Sequence, residues 1–464
     1  MGVNPYLKDQ TERTNENAAP AQGVENTDTE GKTAPVRKKK GKAVKIAVAS
    51  ALAVVLFAGG ALTTWCMLDP EMRSLIKLKY KIQKEYYEEI TDEEFYGTLF
   101  DAVNEGLLDD YSWYMTSDEY AEARSEGQGN QSGIGLVFDT QAADGSAQLL
   151  VSRVCGNSPA ESAGILEGDH ILGFGLTETT VEDNVIFADL SAFVTARSAG
   201  EGFYLKVLSD GETKTVPITK ENYVENYVFY RTNTKSYRFT GDDAETLTER
   251  GQTLTCLNDD TAYIRLTQFN GAAAEEFETA MELFKSEGKK SLVLDLRSNG
   301  GGYLDIMQDI ARYFGKNSDE RKPVAVVADY GEYSEVFKAD GNDYGEYFSS
   351  DSRICVLADS GTASASECLI GYMLDYGAIS YGDICLSERE GVSKTYGKGI
   401  MQTTYPLKLI NADAVKLTTA KIYWPVSGNC IHGRGILPED GALTVAEDTA
   451  RDGEIAAAVA KLFG

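Results

Sequence analysis

The sequence predicts a mixed α/β, multidomain chain with one membrane-spanning helix near its N-terminus. Three observations carry this. From residue 261 onward, runs patterned as strands alternate with runs patterned as helices, as expected for strands and helices layered on one core. A chain of 464 residues is long enough for two or three domains. Ile46 to Leu68 is an uncharged run of 23 residues, enough to cross a bilayer as a helix.

Residues 1–43 form a polar segment without apolar periodicity, predicted to be a disordered cytoplasmic tail. Its basic cluster, Arg37 to Lys42 with Lys45 just beyond, precedes the apolar run and places the N-terminus in the cytoplasm. Residues 44–68 are then a signal anchor in the cell membrane, and everything after them lies outside the cytoplasm. A cleaved signal peptide is the alternative, because Ala58 to Ala61 are small. The leader before the apolar run is too long for an ordinary one. The net charge of -28 disfavours a nucleic-acid partner, which requires a basic surface. The seven cysteines are scattered and lack a C-x-x-C pair, so neither a zinc site nor a disulfide framework follows. Cys355 and Cys368 fall in apolar context and read as core. No metal and no cofactor is expected.

Residues 69–127 read as a helical region. Thr91-Asp-Glu-Glu94 has the form of a helix cap ahead of Phe95, Leu99 and Phe100. Residues 223–260 read as a connection, with turn signals at Thr240 to Asp243. Thr261 to Phe269 alternates like a strand, Ala272 to Lys285 reads as an amphipathic helix, and Ser291 to Leu296 as the next strand. Another helix is expected from about Leu304 to Phe314, and a buried strand at Arg353 to Ala358.

Chemistry gathers in three segments. In the first, small residues lead from the Arg353 to Ala358 strand into a helix, with Ser364 at the crossing. The unpaired N–H groups of a first helical turn can bind an oxyanion. Ser364 is equally placed as a helix N-cap, and Ser360 and Ser366 are rivals that the residues alone do not separate. The second is Thr395-Tyr-Gly-Lys-Gly-Ile-Met-Gln402, where Lys398 could serve as base for a serine. If that segment is extended, Gln402 lies on the same side as Lys398. The chain has only two histidines, His170 and His432, so a Ser-His-Asp triad is disfavoured. The third is Ser291 to Gly302, a buried strand running into a glycine loop that could offer a second oxyanion N–H.

These segments, in this order, resemble the C-terminal processing peptidases, also called tail-specific proteases. The family pattern appears as Asp295-Leu296-Arg297 with Asn299 and Gly301-Gly302, then Ser364-Ala365-Ser366-Glu367, then Asp375, then Thr395 to Gly399 with Gln402. Leu108-Asp-Asp-Tyr-Ser-Trp-Tyr-Met115 resembles a short family signature, with Asp110 where proline is usual. The resemblance covers nearly everything from about residue 75 to the C-terminus. It implies a crotonase- or Clp-protease-like core over residues 223–464 with a PDZ domain inserted at 128–222. In the latter, Ser132-Gly-Ile-Gly-Leu-Val-Phe138 resembles a carboxylate-binding loop, and Asn157 to Leu172 resembles the family's second PDZ motif. His170, within it, reads as a surface residue.

The resemblance assigns Ser364 as nucleophile, Lys398 as general base and Gln402 as the group orienting the lysine. Ala365 with Gly301 or Gly302 would form the oxyanion hole, and Asp375, Glu367 and Thr395 would support the site. Gly133, Ile134, Gly135 and Leu136 would bind a peptide C-terminus. A free lysine titrates near about 10.4, so neutral Lys398 at pH 7 requires roughly 4 kcal/mol disfavouring its charged form, supplied by burial. The expected partners are a protein or peptide substrate with a free C-terminus and the membrane, with homo-oligomers left open. The link Asp383 to Lys394 is longer than usual and could disturb or gate the base. A phosphate loop fails on spacing at Gly391 to Gly399, and no H-E-x-x-H occurs. Two functions remain: a membrane-anchored serine endopeptidase, or a PDZ receptor with a catalytically silent core.

Overall fold

The computed structural model describes residues 59–60, 62–138, 149–183, 186–240, 243–246, 253–389, 391–408, 412–447 and 452–463. They fall into two units, one ending at Phe95 and one beginning at Tyr96. In the first, helix Pro70–Glu85 starts on Asp69, whose carboxylate accepts the Glu71 N–H at 2.9 Å. A second helix, Asp92–Gly106, most of which belongs to the second unit, begins on a capping box in which Thr91 and Glu94 bond each other's backbone N–H. The expected tail and residues 46–58 and 61 of the expected Ile46 to Leu68 span lie outside the described residues. Among the described residues no helix is long and apolar enough to cross a membrane.

The second unit is built on an eight-stranded mixed sheet. Its strands lie in the order Asp243–Thr246, Ser236–Thr240, Val228–Arg231, Thr261–Leu266, Ser291–Asp295, Ile354–Ala358, Ile384–Ser387 and Leu443–Val445. From Thr261–Leu266 onward neighbouring strands run parallel. Such strands are buried on both faces and read as continuous apolar runs, as Ile354–Ala358 does. The sequence reading of 223–260 as a connection is corrected here. Val228–Arg231 pairs antiparallel with Thr261–Leu266, and Ser236–Thr240 pairs with Val228–Arg231. The 383–394 link is also no loose insertion: Ile384–Ser387 extends the same sheet.

Two features position the site. Ser291–Asp295 and Ile354–Ala358 are parallel neighbours, with Leu292 beside Ile354 and Asp295 beside Leu357. Their C-terminal ends therefore deliver the glycine loop and the Ser364 turn side by side, where open parallel sheets place ligands. A smaller antiparallel sheet presents the lysine segment. Its strand Ile400–Pro406 pairs with Ala414–Tyr423, which also pairs with Trp113–Met115 and Val324–Asp329.

Residues 128–222 carry a further antiparallel sheet, ordered Leu136–Phe138, Leu149–Val154, His170–Gly175, Gly202–Ser209 and Glu212–Thr219. Helices Pro159–Ala163 and Phe187–Thr195 accompany it, and its apolar core, with Ile134, Val151, Ile165, Ile171 and Leu205, is its own.

Candidate active site

Helix Ala365–Asp375 begins directly on Ser364, which has φ 57° and ψ -117°. A non-glycine residue in this region is strained and persists only where its surroundings hold it. Here the holding group is Glu367. Its fully buried carboxylate accepts the Ser364 N–H at 3.1 Å and the Lys398 N–H at 2.9 Å on one oxygen. The other oxygen accepts the Thr395 hydroxyl at 2.6 Å and the Gly397 N–H at 2.8 Å. One side chain thus ties the serine turn to the lysine loop. Burial pushes its pKa up, and these four donors oppose that shift. Thr395 is buried as well and also accepts the Ile436 N–H at 2.8 Å.

One rival to Ser364 separates on geometry. Ser366 is buried and its hydroxyl donates to the Asn299 carbonyl at 3.0 Å. Ser364 is half-buried at the mouth of the turn.

Asn299, fully buried, shapes the glycine loop. Its amide nitrogen donates to the Leu266 carbonyl at 2.8 Å, and its side-chain oxygen accepts the Gly301 N–H at 2.9 Å. Gly301 therefore has its N–H committed, whereas the N–H groups of Gly302 and Ala365 have no partner among the described residues. Gly301 lies so close to the serine that an added Cβ would sit 2.7 Å from Ser364 Cβ and 2.9 Å from the Ala365 nitrogen. Its φ of 99° also requires glycine.

Beneath the loop lies a buried charge network. Arg297 is bonded to Asp295 and to Glu454 of the C-terminal helix Asp452–Phe463. Arg389, from the long link, bonds Glu454 at 2.5 and 2.9 Å and Asp359 at 3.3 Å. The link's arginine is thus built into this network.

Lys398 is half-buried, and its Nζ lies 4.9 Å from the centre of the Tyr111 ring. Burial lowers its pKa, the charge of Lys416 lowers it further, and Asp109 opposes both. No hydrogen bond joins Lys398 Nζ to Ser364 or to Gln402 among the described residues. The Gln402 amide donates instead to Thr418 Oγ1 at 3.3 Å. Gln402 follows a register shift after Met401, where simple alternation along the strand breaks. Thr418 in turn bonds Asp109 and Ser112, so the 109–112 segment closes over the lysine side of the site.

Asp375 sits at the far end of the serine helix, where it accepts the Val426 and Ser427 N–H groups at 2.8 and 2.9 Å. His432 is exposed. His170 is half-buried and lines a cavity of about 560 Å³. The residues that sequence reasoning passed over are Asn299 as organiser of the loop, Tyr111 and Lys416. The signals for the first two were in view, in the Asn of the first motif and the Tyr of the 108–115 signature.

In the 128–222 region, Gly135 turns with φ 78°, and the N–H groups of Ile134 and Gly135 have no partner among the described residues. Beside them a groove of about 310 Å³ runs between Leu136–Phe138 and helix Phe187–Thr195.

Residues 260–440 match Peptidase family S41. A CtpA-like serine protease of Staphylococcus saprophyticus is 27% identical over 373 residues, covering 80% of this chain and 65% of that protein. One from Staphylococcus aureus (strain bovine RF122 / ET3-1) is 28% identical over 370 residues, covering 78% of this chain and 62% of that protein. The chain thus spans less than two thirds of the length of these relatives. Among solved structures, the photosystem II D1 C-terminal processing protease aligns with a TM-score of 0.45 at 23% identity, covering 80% of this chain and 86% of that one. Over residues 260–440 the chain thus matches Peptidase family S41, and over about 80% of its length it is similar to CtpA-like serine proteases.

Proposed function

We propose that the chain is a serine-type endopeptidase in which Ser364 is the nucleophile and Lys398 the general base. The observation that carries this is the Glu367 carboxylate, which binds the backbone of both residues at once. Neutral Lys398 takes the proton of Ser364 Oγ as that oxygen attacks the scissile carbonyl. The developing oxyanion is met by the N–H groups of Ala365 and Gly302. Collapse of this intermediate passes the proton from Lys398 to the leaving amine, and water then hydrolyses the acyl-enzyme. Gln402 orients Lys398 when the site is engaged, which requires its amide to leave Thr418.

The 128–222 region acts as a PDZ domain. It captures the C-terminus of a substrate or regulator through Gly133, Ile134, Gly135 and Leu136, adding the peptide as a strand beside Leu136–Phe138. Residues 44–68 anchor the enzyme in the cell membrane, with the catalytic part outside the cytoplasm. A second reading, a peptide receptor with a silent core, is favoured by one observation: Lys398 faces the Tyr111 ring and bonds neither Ser364 nor Gln402.

The test is cleavage of an unfolded protein with an apolar free C-terminus by wild type, Ser364→Ala and Lys398→Ala. Fragments from wild type alone support the peptidase. Peptide binding without cleavage at any pH from neutral to alkaline supports the receptor. Cleavage by the Lys398→Ala enzyme refutes the assigned base.

A further inference from the structure

The first unit carries an apolar stripe that its own contacts leave open. Helix Pro70–Glu85 packs one side on the segment that follows it. Lys79 pairs with Asp92 at 2.8 Å, and the Gln83 amide donates to the Ile90 carbonyl at 3.1 Å and to Asp92 at 2.7 Å. Leu75 and Ile82, on the same side, are half-buried. Met72, Ile76 and Tyr80 follow one another at four-residue steps on the neighbouring face, and they are 48%, 40% and 65% exposed. Cations line one border of this stripe. They are Arg73, Lys77 and Lys84, and none of them forms an ion pair among the described residues. The Lys84 ammonium lies 5.8 Å from the centre of the Tyr80 ring.

Charge and place say what covers this stripe. Arg73, Lys77, Lys79, Lys81 and Lys84 stand against Glu71 and Glu85, five cations less two anions, so the helix carries +3 in a chain whose total is -28. Lys81 pairs with Glu85 at 3.4 Å in the last turn, and Glu88 and Glu89 come only after the helix has ended. The helix begins two residues after Leu68, the last of the 23 uncharged residues from Ile46. Two residues of extended chain reach at most about 7 Å. Asp69, at φ -51° and ψ 140°, breaks helical geometry between the two, so the helix is free to leave the direction of the run before it. Its 16 residues make a rod of about 24 Å. An apolar stripe bordered by long basic side chains is the pattern of a helix lying in a membrane interface, where the stems follow apolar surface and the charges meet phosphates. A second copy of the chain fits worse. Three partly exposed side chains fall well short of the about 800 Å² per partner of a stable complex. An antiparallel self-pair would also set Arg73, Lys77 and Lys84 against their own counterparts.

We propose that helix Pro70–Glu85 is a membrane-binding site: it lies on an anionic lipid surface, with Met72, Ile76 and Tyr80 at the boundary of headgroups and acyl chains and Arg73, Lys77 and Lys84 on lipid phosphates. This rests on residues 44–68 being the membrane anchor. It gives the bilayer a second hold on the chain, one that depends on lipid charge where the anchor does not.

The experiment places the full chain, one copy per disc, in nanodiscs of phosphatidylglycerol or of phosphatidylcholine. Hydroxyl-radical oxidation of Met72 and Tyr80 is read by mass spectrometry, with the exposed Tyr333 of the second unit as internal reference. Phosphatidylglycerol lowers oxidation of Met72 and Tyr80 by about threefold or more relative to phosphatidylcholine and leaves Tyr333 unchanged. Arg73→Gln, Lys77→Gln and Lys84→Gln together, all on the open side of the helix, return both residues to the phosphatidylcholine rate. Equal oxidation in the two lipids overturns the proposal, as does protection that survives the triple substitution. Protection seen only in discs carrying two copies overturns it in favour of self-association. Flotation with vesicles in alkaline carbonate tests the anchor separately. A chain released by carbonate refutes the anchor and the proposal with it. A chain that stays on the vesicles while Met72 and Tyr80 are unprotected refutes the helix alone.

Discussion

Glu367→Gln is the sharpest perturbation the site offers. The substitution keeps size and shape but replaces one carboxylate oxygen with an NH₂ group. Each oxygen now accepts two donors: Thr395 Oγ1 and Gly397 N on one, Ser364 N and Lys398 N on the other. Whichever way the amide lies, two charge-assisted bonds disappear and two donors face a third. Each such bond is worth about 1.5–3 kcal/mol. Removing a buried charge recovers part of that, since burial already pushes this carboxyl up. The net loss is about 2–4 kcal/mol, against a usual total of about 5–15 kcal/mol. Activity suffers separately, because displacing the serine turn relative to the lysine loop by about 1 Å costs about a hundredfold in kcat. Urea unfolding measures the first effect and peptide turnover the second. Ser364→Ala is the control, since it abolishes turnover while leaving all four bonds in place. A Glu367→Gln enzyme within 0.5 kcal/mol of wild type and within about twofold in kcat would refute the view that this carboxylate joins the two halves of the site.

Three further outcomes are expected. Gly301→Ala, whose Cβ would sit 2.7 Å from Ser364 Cβ, lowers kcat about a hundredfold by displacing the oxyanion donors, as steady-state kinetics will register. Gly135→Ala, whose Cβ would meet Ser158 Cβ at 2.1 Å, weakens binding of an apolar C-terminal peptide about tenfold or more in fluorescence anisotropy. Burial pushes the Glu276 carboxyl from 4.5 up to about 7, against hydrogen bonds from Asn226, Tyr227 and Val228. A raised native pKa gives stability that is complete below pH 4.5 and lost as pH rises through 7. Relative to Glu276→Gln, wild-type stability therefore falls by about 3 kcal/mol across that window, and a rise in urea titrations would contradict it.

The site was legible in the sequence where its parts are local. Ser364, Lys398 and the glycine loop each sit in a short motif whose turn chemistry is written in adjacent small residues. The role of Glu367 was not legible, although the residue itself was, because its four donors come from the serine turn and from residues 395–398. Tyr111 meets Tyr396 across 285 residues of chain, a contact no local pattern announces. The same distinction explains the fold. Strand Ser291–Asp295 declared itself by the apolar run Leu292 to Leu294, whereas Val228–Arg231 and Ser236–Thr240 are short and separated by turn residues. Val228–Arg231 becomes a strand through pairing with Thr261–Leu266, and Ser236–Thr240 through pairing with Val228–Arg231, partners local periodicity cannot supply.

The contact between Arg297 and Glu454 has a consequence for the life of the polypeptide. Arg297 lies at the foot of the glycine loop, and one of its anions arrives on the C-terminal helix. A buried arginine deprived of its partner costs about 3–5 kcal/mol. Ribosomes deliver the serine and lysine segments before that helix exists. Until that helix docks, the floor beneath the glycine loop holds Arg297 with Asp295 as counter-charge and without Glu454, so the last helix to be made completes the support of a loop whose arginine comes 157 residues earlier.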